Sequence, residues 1–204
     1  MSSQVSAFGG IVLCGGKSTR MGSSKALLPF GRELMLQRAV RILGEVVSPI
    51  VVVAAKEQDL PKLPADVLVI RDEFEALGPL AGLATGLAAL QGKVEAAYAS
   101  SCDVPLLLPA FVRTMLSMLG DDDLAIPKDG KYHHPLAAVY RTSVEADVRA
   151  LLVENRLRPF FLLERVRARE VDVAELRKVD PELMSLRNTN TPEEYQSALR
   201  EAGL

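Results

Sequence analysis

Residues 50–54 read Ile-Val-Val-Val-Ala, a run of mostly β-branched side chains with no polar alternation. A strand solvated on one face alternates apolar and polar residues, whereas an unbroken apolar run needs cover on both faces. Pro49 marks where it starts. Apolar runs at 9–13, 67–70 and 96–101 read as further strands, and helical spacing falls between them at 34–47 and 80–90. Such alternation over the first two-thirds of the chain predicts a single three-layer α/β/α domain with a mostly parallel, Rossmann-like central sheet.

The remainder extends that pattern. Residues 109–119 form a helix with Pro109 in its first turn, where the missing N–H costs little. Strands are expected at 124–127 and 136–140, on either side of the turn signal Asp129-Gly130. Ser143 is expected to cap a helix reaching about residue 154, followed by a helical segment at 160–166 and strands at 170–173 and 184–187. Thr191-Pro192-Glu193-Glu194 opens a last helix, with Thr at the cap and two acids at the positive dipole end. Gly78-Pro79 breaks the chain before the helix at 80–90. Within that helix, Gly82 and Gly86 allow either a ligand or tight packing to approach.

In open α/β sheets ligands bind beyond the carboxyl ends of the strands. Directly after the first strand comes Gly15-Gly16-Lys17-Ser18-Thr19-Arg20-Met21-Gly22-Ser23-Ser24-Lys25. Three glycines, two lysines and an arginine there suit a polyphosphate, since glycine lets backbone N–H groups converge on an anion. Gly16-Lys17-Ser18 imitates a Walker A ending, but Ile11 stands where that motif needs glycine. The dinucleotide fingerprint fails because Lys17 occupies its second glycine. Lys25 brings a point charge on a flexible stem, and Arg20 a bidentate fork. Asp72 and Asp103 each follow a strand and so share the rim with this loop. A carboxylate at Asp103 opposite the cations can hold Mg²⁺ against a nucleotide phosphate; spacing alone equally allows a helix cap before Pro105.

Composition narrows the partners. A net charge of −2 over 204 residues gives no bulk attraction to nucleic acid. The expectation is no nucleic acid, no membrane span, no signal peptide and a cytoplasmic location, with residues 1–7 flexible. Cys14 and Cys102 lack metal-ligand spacing and read as small buried residues. Asp121-Asp122-Asp123 reads as a solvated loop, and His133-His134 lacks a third zinc ligand.

The motif at 13–22 with Lys25 resembles that of nucleotidyltransferases of the glycosyltransferase-A-like, nucleotide-diphospho-sugar transferase-like fold. Gly78-Pro79-Leu80-Ala81-Gly82, Cys102-Asp103-Val104-Pro105, His134-Pro135-Leu136 and Asn188-Thr189-Asn190-Thr191-Pro192-Glu193-Glu194 resemble the MobA family, the molybdenum cofactor guanylyltransferases. That resemblance implies transfer of GMP from GTP to the terminal phosphate of molybdopterin, with Mg²⁺ as cofactor. Molybdoenzymes or other cofactor-biosynthesis proteins would be partners. It implies that residues 8–103 serve the nucleotide and 104–204 the acceptor. Leu13, Cys14, Gly15, Gly16, Arg20, Lys25, Asp72 and Asp103 would contact the nucleotide. Lys25 and Asp103 would be catalytic, with Asp103 on the metal. Asn188, Asn190 and Arg156 would face the acceptor, with Arg158 as an alternative and a solvated basic surface as the plainer reading of both arginines. Two departures stand out. Cys14 replaces a frequent alanine, and Ala54-Ala55-Lys56 has no side-chain amide where some relatives place Asn.

Two other readings remain. One is a related transferase using CTP with molybdopterin, or another nucleotide with a sugar phosphate. The other is a non-catalytic nucleotide-binding partner of molybdoenzymes, which would have no need of both Lys25 and Asp103.

Overall fold

A computed structural model describes residues 6–14, 24–72 and 77–204. The chain runs β1 (Ser6–Leu13), a 3-10 turn (Lys25–Leu27), the hairpin β2 (Pro29–Phe30) and β3 (Glu33–Leu34), α1 (Met35–Gly44), β4 (Ile50–Ala54) and β5 (Leu68–Arg71). It continues through α2 (Pro79–Leu90), β6 (Val94–Ser101), α3 (Pro109–Ser117), β7 (Leu124–Asp129), β8 (Tyr132–His133) and β9 (Ala137–Arg141). Then come α4 (Glu145–Val153), a 3-10 segment (Pro159–Glu164), β10 (Ala168–Asp172), α5 (Val173–Leu176) and α6 (Pro192–Glu201).

The eight-stranded sheet has the order β10-β7-β9-β6-β1-β4-β5, with β8 paired to β7. β1 is parallel to both β4 and β6, and β5 is parallel to β4. Only β9 and the short β8 run against the others. Every residue of β4 is buried, as its unbroken β-branched run requires. Side chains alternate between two cores. Val12, Val52 and Tyr98 face α1, α3 and α5, while Ile11, Leu13, Val51 and Val53 face α2 and α4. These are the two helical layers.

From β1 the chain moves outward through α1 to β4 and β5, then returns over the opposite face through α2 to β6. The direction of winding therefore reverses between β1 and β6. In a sheet of this kind that reversal leaves a crevice at the carboxyl ends of the two strands, where ligands bind. Leu13 pairs with Ser101, so Cys14 and Cys102-Asp103 emerge side by side at this crevice.

Gly82 and Gly86 are explained by packing. A Cβ on Gly82 would lie 3.2 Å from Leu13 Cδ2, and one on Gly86 only 2.6 Å from Ile11 Cγ2. Ile11 is fully buried and β-branched, so it cannot give way cheaply. Gly86→Val is expected to destabilise the fold by about 1–3 kcal/mol through overpacking. Urea unfolding checks this; an unchanged midpoint would show that α2 can lift off β1.

Three expected elements differ. Ser143 does not cap α4: it lies inside a 3-10 turn (Thr142–Val144), anchored by the Thr142 hydroxyl donating to Val94 O at 3.1 Å. Residues 184–187 are not a strand. Asp180 accepts the N–H groups of Met184 and Ser185, winding Met184–Leu186 into a 3-10 turn. The segment expected at 160–166 is helical but differs in its bounds, being a 3-10 helix that ends two residues earlier, Pro159–Glu164. The C-terminal helix starts as its sequence dictates. The Thr191 hydroxyl accepts the Glu194 N–H, and Glu194 Oε2 accepts that of Thr191, closing a capping box.

Candidate active site

The centre of the site is the Asp103 carboxylate, buried just past the end of β6. Its Oδ2 lies 2.7 Å from Lys25 Nζ, an ion pair whose side chains are 13% and 17% exposed respectively. Its Oδ1 accepts from the Ser101 hydroxyl and, at 3.0 Å, from Asn188 Nδ2. Lys25 also donates to Asn190 Oδ1 at 2.7 Å. Three parts of the chain far apart in sequence, carrying Lys25, Asp103 and the pair Asn188 and Asn190, therefore converge on one point.

The backbone holds them there. The Asp103 carbonyl accepts two hydrogen bonds from Thr189, from its N–H at 2.8 Å and its hydroxyl at 3.1 Å. Thr189 is buried, so its exposed neighbours Asn188 and Asn190 are presented on either side. Glu194 Oε2 accepts the Asn190 N–H at 2.6 Å, linking the cap of α6 to the site.

Leu13 and Cys14 close β1 beside this cluster, and the Leu13 carbonyl accepts the Cys102 N–H at 3.0 Å. Asp72 follows β5 two strands away on the same rim, its N–H donating to Ala54 O at 2.8 Å. Gly15, Gly16 and Arg20 lie outside the described residues. Arg156 is taken up by Glu164 and the Phe161 ring, 4.1 Å from its guanidinium carbon, rather than brought to Asp103. Arg158 is exposed.

The sequence left the end of β4 without a side-chain amide, but Gln58 supplies one by folding back. Its Nε2 donates to Cys14 O at 2.8 Å and to the Ser24 hydroxyl at 3.2 Å, and its Oε1 accepts the Ala55 N–H at 3.2 Å. Residues 14 and 24 flank the glycine-rich segment, so one amide ties both of its ends. Arg71 in turn donates to the carbonyls of Ala55 and Gln58, at 2.9 and 2.7 Å. Gln58 escaped notice because it lies in a polar, proline-broken connection, four residues past the strand.

Both cysteines are buried. Burial pushes the Cys14 thiol up to about 12, against the opposing charge of Arg71, and raises Cys102 likewise. Nucleophilic thiolate is therefore suppressed. Iodoacetamide at mildly alkaline pH is expected to leave both unmodified in the native protein and to alkylate both after unfolding. Rapid labelling of the folded chain, read by mass spectrometry, would contradict their burial.

Among the described residues, no group of three or more His, Cys, Asp and Glu side chains is placed to hold a metal ion. Asp103, the one carboxylate in the cluster with Lys25, Asn188 and Asn190, would suit instead a cation completed by substrate oxygens. Mg²⁺ is usually held by one or two carboxylates plus phosphates and water.

A carboxylate and a lysine at the switch point of a mostly parallel sheet, where the chain leaves β1 for its glycine-rich segment, suit a nucleotidyltransferase. Residues 10–170 match the model of the MobA-like NTP transferase domain. The chain belongs to that family. It is 40% identical over 148 residues to a probable molybdenum cofactor guanylyltransferase of Mycobacterium tuberculosis strain H37Rv, covering 70% of this chain and 72% of that one. It is 32% identical over 193 residues to a protein of the same description from Pelotomaculum thermopropionicum, covering 93% and 90%. The fold matches that of molybdopterin-guanine dinucleotide biosynthesis protein A from Archaeoglobus fulgidus, with a TM-score of 0.79 at 22% identity over 96% of this chain and 98% of that one.

Proposed function

We propose that the chain transfers GMP from GTP to the terminal phosphate of molybdopterin, forming the guanine dinucleotide form of the molybdenum cofactor. The observation that carries this reading is the meeting of Lys25 and Asp103 with Asn188 and Asn190. A cation able to meet phosphate, a carboxylate able to hold a metal ion and two amides at one crevice support the joining of two phosphorylated substrates.

A phosphate oxygen of the acceptor attacks the α-phosphorus of GTP. The bond to the α–β bridging oxygen breaks, and pyrophosphate leaves. The attacking oxygen is already ionised, so no side chain need remove a proton. Catalysis is then positioning and charge neutralisation. Lys25 leaves Asp103 for the phosphates, and its departure frees Asp103 Oδ2 to take a cation. Mg²⁺ bound there would stabilise the charge that develops on the phosphates and on the departing pyrophosphate. Leu13, Cys14, Gly15, Gly16, Arg20 and Asp72 contact the nucleotide. Asn188 and Asn190 orient the acceptor, so residues 8–103 serve GTP and 104–204 the pterin.

The test incubates purified protein with Mg²⁺, molybdopterin and each nucleoside triphosphate in turn, following pyrophosphate. Release with GTP alone is expected. Release with CTP instead, or no release with any nucleotide, would overturn the reading.

A further inference from the structure

The half-buried Gln58 directs both of its amide hydrogens at two points of the chain that border the site. Nε2 donates to the Cys14 carbonyl at 2.8 Å and to the Ser24 hydroxyl at 3.2 Å. The first partner directly follows β1, and the second immediately precedes Lys25. The amide has one workable orientation. Its Oε1 accepts the Ala55 N–H at 3.2 Å, and a flip would set an N–H against that donor and an oxygen against the Cys14 carbonyl. Arg71, at the last position of β5, holds the base of the side chain by donating to the carbonyls of Ala55 and Gln58, at 2.9 and 2.7 Å.

Lys25 needs such a tether. Its ammonium lies 2.7 Å from Asp103 Oδ2 and must leave it for the phosphates, so that ion pair is not what places the residue during the reaction. The backbone has to be fixed instead. On one side the fully buried Ala26 does this. On the other stands Ser24, whose carbonyl starts the 3-10 turn by accepting the Leu27 N–H at 3.0 Å and whose hydroxyl takes the bond from Gln58. Through Cys14 the same amide is joined to the end of β1, where the Leu13 carbonyl accepts the Cys102 N–H beside Asp103.

We propose that Gln58 is a positioning residue: its amide spans Cys14 and Ser24, and so fixes the backbone of Lys25 relative to the end of β1 while the ammonium stays free to swing. The inference rests on the reaction proposed above and adds a residue that acts through Lys25 rather than by touching a substrate. Both N–H groups of Gln58 are taken by protein atoms, which leaves it no donor with which to read a base or a ribose. Placement is what such a residue can contribute, because a displacement of about 1 Å can cost on the order of 10²-fold in rate.

Gln58→Met keeps the length of the side chain and removes the amide. It is expected to lower kcat/KM for pyrophosphate release roughly ten- to a hundredfold, with the KM for molybdopterin unchanged. Ser24→Ala, which cuts only the link toward Lys25, should lose roughly three- to tenfold. In a Lys25→Met background, where there is no ammonium left to place, adding Gln58→Met should cost less than about threefold. A merely structural glutamine would cost the same in both backgrounds. A second readout needs no turnover. Acetylation of Lys25 by N-acetoxysuccinimide, followed by peptide mass spectrometry against the exposed Lys93, should speed up roughly two- to tenfold in Gln58→Met as the residue loosens from Asp103 and Asn190. Equal losses in both backgrounds, full activity of Gln58→Met and Ser24→Ala, or an unchanged Lys25 acetylation rate would overturn the inference. Wild-type turnover separates it from the reaction it rests on. Release by wild-type protein with GTP and molybdopterin, unaltered in Gln58→Met, sinks the positioning role alone. No release by wild-type protein with any nucleotide, alongside faster Lys25 acetylation in Gln58→Met, sinks the reaction alone.

Discussion

Asp103→Asn is expected to lower turnover on the order of 10³-fold while leaving the chain folded. Asparagine keeps the side-chain shape and can still meet Ser101 and Asn188. The two bonds from Thr189 go to the backbone carbonyl of Asp103 and do not depend on the side chain. What is lost is the negative charge that faces Lys25 at 2.7 Å and that would hold a cation against the phosphates. Steady-state pyrophosphate release, with a thermal midpoint close to that of the wild type, would show both halves of this result. Activity within tenfold of wild type would remove Asp103 from the reaction.

Lys25→Met should cost about 10²-fold in kcat/KM, the usual loss for one electrostatic contact to a transition state. Methionine keeps much of the apolar stem and removes the cation. The double variant should fall well short of the product of the two single losses, because each single change leaves an uncompensated partner in a half-buried place. A double-mutant cycle on kcat/KM measures the shortfall. Strict additivity would mean that the two groups act independently and that their pairing in the free protein has no part in catalysis.

Much of the architecture was legible in the residues because burial and period dictate it. Ile50–Ala54 could be nothing but a strand covered on both faces, and it is one. Thr191-Pro192-Glu193-Glu194 names its own cap. Met184-Ser185-Leu186-Arg187 alternates apolar and polar residues as a half-buried strand does, but the carboxylate of Asp180, four residues upstream, takes the N–H groups of Met184 and Ser185 and decides the outcome. Ser143 is a good cap by type, but Thr142 found stronger partners on β6. In the site, Lys25, Asp103, Asn188 and Asn190 each carry chemistry that a reader can see. Gln58, Ser101 and Thr189 do not. Their importance lies in what touches them: the end of β1, a carboxylate oxygen and a backbone carbonyl. The contacts of Gln58 and Thr189 span 44 and 86 residues and so leave no local trace.

The bonds from Thr189 to the Asp103 carbonyl also impose an order in time. A ribosome delivers Asp103 85 residues before Asn188. At about 5–20 residues per second that interval lasts roughly 4–17 s. During it the nascent chain has already emitted β1, β4, β5 and β6, and with them the glycine-rich loop and the carboxylate. It still lacks both asparagines and the threonine that pins them. A ribosome-bound chain halted before residue 188 therefore carries Lys25 and Asp103 but not the partners that pin the Asp103 carbonyl, so the cluster of four side chains closes only as the last helix docks.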